Sequence, residues 1–167
     1  MRAPGILACL ALAAGCLGTT PEEELADQQG EDPAGDEGPT HRPGQRCLVC
    51  HDSDFVVAGT VYRRAEDADG LAGAEVEITD DAGRVFTAVT NRAGNFMVSV
   101  GDEGERDEGW VRLPDAPTFP LRVTVRHGAE ERRMRNVVHR EGACAACHDR
   151  NGKGAASNGK VFVEETP

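Results

Sequence analysis

Two short runs carry the chemistry this chain can do: Cys47-Leu48-Val49-Cys50-His51 and Cys144-Ala145-Ala146-Cys147-His148. Each reads Cys-x-x-Cys-His, the spacing that attaches a c-type haem. Two thiols at that separation can add to the two vinyl groups of one porphyrin as thioethers. The imidazole beside the second Cys can then coordinate the iron from one face. The repeated motif predicts two covalent haems. Cys47, Cys50, Cys144 and Cys147 would attach them, with His51 and His148 as proximal ligands.

The same residues admit two other chemistries. Four thiolates could surround one tetrahedral Zn²⁺. Each pair could instead close as a local disulfide on a surface binding module without a redox role. The His that follows both pairs at the haem spacing favours haem over either.

The sixth iron ligands stay open among His41, His127, His139, Met97 and Met134. His127 lies in Arg126-His127-Gly128-Ala129, which reads as a hairpin tip. Met97 and Met134 read as core residues of strands. His41 shortly precedes Cys47 and His139 shortly precedes Cys144, so these two are expected near the irons, in an undecided pairing. No group marks a proton-delivery residue, so an electron-transfer protein is expected rather than an enzyme. The acidic stretch Glu66-Asp67-Ala68-Asp69-Gly70 lacks the ligand spacing of a calcium loop.

Haem attachment needs an extracytoplasmic compartment, and the N-terminus agrees with export. Met1-Arg2 is followed by the apolar run Ile6-Leu7-Ala8-Cys9-Leu10-Ala11-Leu12-Ala13-Ala14, too short to span a bilayer. Leu12-Ala13-Ala14-Gly15-Cys16 resembles a bacterial lipobox, with Ala13 where Leu is more usual. The resemblance implies diacylation of Cys16 and a lipid-anchored protein of the bacterial cell envelope. A plain secretory signal cut near Ala14 or Gly18 is the alternative. Residues 1–16 are therefore read as a lipoprotein signal peptide. Residues 17–46 are rich in Pro, Gly and acid, as in Thr20-Pro21-Glu22-Glu23-Glu24. They are expected to form a disordered tether, because they bury too little apolar surface to offset chain entropy.

The chain of 167 residues carries a formal net charge of -11, from 29 acidic against 18 Lys and Arg residues. No basic stripe could neutralise phosphates, so nucleic-acid binding is excluded. An acidic surface suits docking to basic redox partners, other cytochromes among them. Aromatic content of 4% is low for a core, and haem could supply apolar bulk.

The elements that must position the two motifs read as β-strands. Phe55–Tyr62, Glu75–Thr79, Val85–Thr90, Phe96–Val100, Leu121–Val125 and Arg132–Val138 alternate apolar and polar residues. Asp80-Asp81-Ala82-Gly83 and Arg92-Ala93-Gly94-Asn95 read as turns between them. An all-β sandwich is expected over residues 55–140. The first haem segment would occupy 47–54, and the second, with the tail, 141–167. If the opening and closing strands ran antiparallel, both haems would sit at one pole.

Gly59-Thr60-Val61-Tyr62, Leu71-Ala72-Gly73-Ala74-Glu75-Val76-Glu77-Ile78, Asp81-Ala82-Gly83-Arg84 and Thr87-Ala88-Val89-Thr90-Asn91-Arg92-Ala93-Gly94-Asn95-Phe96 resemble carboxypeptidase regulatory-like domains. That resemblance implies a transthyretin-like (Ig-like) sandwich of about seven strands with no catalytic residues of its own. The combination also resembles exported bacterial proteins in which such a sandwich is flanked by Cys-x-x-Cys-His motifs. Their second motif is followed by Gly/Asn/Ala-rich sequence, as in Gly152–Phe162 here.

Overall fold

The computed structural model describes residues 20–29, 38–101, 108–149 and 158–164. The expected signal peptide and Cys16 lie outside the described residues. Among the described residues, no helix is long and apolar enough to cross a membrane.

Of the expected tether, residues 20–29 and 38–46 are described, and both are ordered. Pro21–Gln29 form a helix, α1. A reciprocal cap starts it: Glu23 N donates to Thr20 Oγ1 at 3.2 Å, and Thr20 N donates to Glu23 Oε2 at 2.7 Å. Pro21 stands at the first helical position, where its missing N–H costs nothing. Residues 38–46 are no tether either. They lie on the sandwich and are described with the site below.

Eight strands form two four-stranded sheets. The first, in the order β5-β4-β1-β8, contains β1 (Val57–Tyr62), β4 (Asn95–Val100), β5 (Trp110–Leu113) and β8 (Val161–Phe162). The second, in the order β3-β2-β6-β7, contains β2 (Glu75–Thr79), β3 (Val85–Val89), β6 (Arg122–His127) and β7 (Glu130–Arg133). This arrangement is compatible with the all-β sandwich expected, with one strand more than the seven or so anticipated. Val57, Val61, Phe96 and Val98 of the first sheet share one core with Val76, Ile78, Ala88 and Val125 of the second. Burial of such side chains, about 1.5–3 kcal/mol each, is the main favourable term.

Three sequence expectations shift. β5 and β8 were not anticipated; each pairs in parallel, with β4 and β1 respectively. The strand expected at Arg132–Val138 runs instead at Glu130–Arg133, held by its ladder to β6. Met134, expected inward, is half-buried just past its end. The closing strand of the expected set therefore lies in the second sheet and does not pair with β1. The chain reaches β1 by another route, with Ala143 bridging Ala58 in parallel.

That bridge makes β1 the support of the second motif. Ala58 N donates to Gly142 O at 3.0 Å. Only glycine fits at 142, since a Cβ there would lie 1.9 Å from Val56 O. After the motif the chain returns, and Val161 pairs with Val61 on the same strand. Arg63 and Arg64 then hold Glu164 at 2.6 and 3.1 Å.

Candidate functional site

The two Cys-x-x-Cys-His runs fold alike. Cys47–Val49 and Cys144–Ala146 each form one 3₁₀ turn. Cys50 N and His51 N both donate to Cys47 O, at 3.2 and 3.0 Å. Cys147 N and His148 N both donate to Cys144 O, at 3.1 and 2.8 Å. The preceding residues match as well: Arg46 has φ -78° and ψ 91°, Ala143 φ -76° and ψ 101°. Five residues of matching type thus produce one local conformation at two places in the chain.

The thiols repeat the pattern. Cys47 Sγ faces Gln45 O at 3.6 Å and Cys144 Sγ faces Gly142 O at 4.0 Å, two residues upstream in both motifs. Cys50 and Cys147 are exposed, while Cys47 and Cys144 are half-covered as residues. Burial of its sulfur pushes the Cys47 thiol up to about 11. Burial, followed by the nearby Cys47, pushes Cys144 up to about 12. Arg46 Nη2 donates to Ala146 O at 3.3 Å and ties one motif to the other.

Each motif also fixes its imidazole. His51 Nδ1 lies 3.1 Å from Asp54 Oδ2, and His148 Nδ1 lies 2.9 Å from Gly159 O. An acceptor at Nδ1 keeps the proton on that nitrogen and leaves the Nε2 lone pair for a metal. Two thiols and one such imidazole on a single turn are the donor set that a covalent haem requires. Sequence reading missed both partners: Asp54 carries a signal in its spacing, three residues after His51, and Gly159 could be found only from the fold.

Zinc is less well served. Among the described residues, no three His, Cys, Asp or Glu side chains gather as a metal site. All four described cysteines are unpaired.

Residues 38–46 form a strap that carries His41 to the first motif. Buried amides hold it. Asn91 Nδ2 donates to Pro39 O at 2.6 Å, and Asn95 Nδ2 donates to Pro39 O at 3.3 Å and His41 O at 3.0 Å. Gly44 N donates to Thr60 Oγ1 at 2.7 Å, and Thr60 Oγ1 donates on to Asn95 Oδ1 at 2.7 Å. Asn91 Oδ1 accepts from Ala93 N and Asn95 N, each at 3.0 Å. Sequence reading missed these positioning residues, because Asn beside a Gly turn looks like an ordinary loop.

The strap brings the His41 and His51 rings to 5.8 Å between centroids. From His51 the ring contacts continue to Phe55 and then Trp110, at 5.2 Å for each step. Among the described residues, His41 is the one candidate with a ring contact to a motif histidine. His139 is exposed. His127 ends β6 at the β6–β7 hairpin, in the second sheet. Met97 is buried on β4 at 5% exposure. Met134 N donates to Val123 O at 3.0 Å beside β6.

Comparison with known proteins returns no matching family model, curated protein or solved structure.

Proposed function

We propose that this chain is an exported dihaem c-type cytochrome that transfers electrons outside the cytoplasm. In this proposal it is anchored to the bacterial envelope through a lipid on Cys16. Its sandwich is of the transthyretin-like kind found in carboxypeptidase regulatory-like domains. The observation that supports the proposal most directly is the duplicated turn. In both copies a Cys-x-x-Cys pair and a His held at Nδ1 adopt one conformation.

Cys47 and Cys50 would attach one haem, and Cys144 and Cys147 the other. His51 and His148 would bind the irons through Nε2. Bound haem supplies the one-electron redox chemistry. The chain's own contribution is position. β1 roots the second turn, Arg46 links the two turns, and Asp54 and Gly159 orient the imidazoles. A net charge of -11 favours basic patches on partner redox proteins and makes association sensitive to salt.

Intact mass and a pyridine haemochrome spectrum decide the matter on the full chain, produced in a host with c-type maturation machinery. Two haems are expected, each adding about 616 Da through thioether bonds. A colourless protein with no mass beyond polypeptide and lipid would refute the proposal. Stoichiometric zinc, or a loss of two protons per Cys pair, would point to the rival chemistries.

A further inference from the structure

His41 and His51 are already arranged as a pair. Their ring centroids lie 5.8 Å apart, with an interplanar angle of 64°. Two imidazoles bound on opposite sides of one metal, at about 2 Å per bond, have ring centres roughly 6 Å apart. Their planes can rotate independently about the shared axis, so the observed angle is compatible with such a pair.

Both rings are also held through the same nitrogen, Nδ1. His41 Nδ1 is hydrogen-bonded to Gly38 O, and His51 Nδ1 to Asp54 Oδ2. Each keeps Nε2 for a metal. The backbone of His41 is itself fixed, because its carbonyl accepts from Asn95 Nδ2 at 3.0 Å. Gly44, three residues on, is anchored to Thr60 Oγ1 at 2.7 Å. A ligand carried on a strap pinned at both sides loses little freedom on binding.

We propose that His41 is the sixth ligand of the first haem, so that one iron is held between His41 and His51. This rests on the haem proposal above. It makes residues 38–46 part of the cofactor site, and Asn95 and Thr60 its positioning residues.

The test compares the two-haem chain with His41→Ala, His41→Met and His127→Ala. Each protein is first counted for haem, then reduced and titrated with carbon monoxide. His41→Ala should bind one more CO per chain than the parent, because one iron has lost its sixth ligand. In the same variant one haem should pass from low spin to high spin. His41→Met should keep that iron low-spin with a raised midpoint potential, since a His/Met pair favours the reduced form. His127→Ala should match the parent. Two attached haems with unchanged CO stoichiometry and spin state in His41→Ala would overturn the assignment and leave the haem proposal standing. A parent without haem would overturn both.

Discussion

Gly59 on β1 leaves the space that Cys144 occupies. A Cβ built on Gly59 would fall 2.7 Å from Cys144 Cβ and 2.9 Å from its Sγ. Cys144 Cβ is fixed directly to its backbone, so Gly59→Ala must push the second turn away from the strand. Overpacking of this kind costs about 1–3 kcal/mol. In the chain without attached haem the urea midpoint should fall with an unchanged slope, and Cys144 should become open to alkylation. A variant with the parental midpoint and a protected Cys144 would contradict the packing described.

In the chain without attached haem, the four thiols should react in two classes. Cys50 and Cys147 are exposed and should be alkylated first. The Cys47 thiol, pushed from 9.0 to about 11, holds about a hundredfold less thiolate near neutral pH than an ordinary cysteine. Cys144, pushed up to about 12, should be slower still. The same shifts set an alkaline limit. Both folded values lie above the unfolded one, so this contribution is complete below pH 9.0 and is lost as pH rises through about 11 and 12. Mass mapping of timed alkylation checks the order, and urea titrations between neutral pH and pH 11 check the sign.

Asn95→Ala should loosen the strap. The substitution removes the acceptor of Thr60 and the donor to Pro39 O and His41 O. Thr60 Oγ1 and His41 O then lose a partner while Pro39 O keeps Asn91 Nδ2, and the loss costs about 1–3 kcal/mol. Hydrogen exchange at Gly44 and Gln45 should accelerate well beyond that in β2 and β6. Uniform acceleration across the sandwich would mean that Asn95 serves global stability and not the strap.

If the chain carries two haems as proposed, Asp54→Asn should raise the midpoint potential of the first and spare the second. A carboxylate at His51 Nδ1 makes the imidazole a stronger electron donor and favours the ferric iron. His148 has a neutral carbonyl, Gly159 O, in that place. Potentiometry on the two-haem protein resolves this. Equal shifts in both haems, or none in either, would exclude a local role for Asp54.

The strands that were legible share a physical reason. β2, β3 and β6 set apolar residues at alternate positions toward the core (Val76 and Ile78, Phe86 and Ala88, Val123 and Val125), and β1 and β4 are short runs buried at nearly every position. β7 hides because Glu130-Glu131-Arg132-Arg133 has no apolar residue. It is an edge strand held by backbone bonds to β6, and charge is common on such edges. β8 is two residues long and depends on Arg132 stacking 3.9 Å from the Phe162 ring and on the Glu164 ion pairs. Composition reads the strap as tether because it registers the Pro and Gly of residues 38–46 but not the buried amides of Asn91 and Asn95. The two Cys-x-x-Cys-His motifs were plain from spacing alone. Their shared turn, and the His41–His51 contact, required the fold.

The chain carrying the second Cys-x-x-Cys-His run meets β1 beside Ala58 and again beside Val61. Those footholds stand about 10 Å apart along a single strand. The register of β1 therefore meters the separation of the two crossings, and adding or deleting a residue between Ala58 and Val61 would slide one crossing against the other.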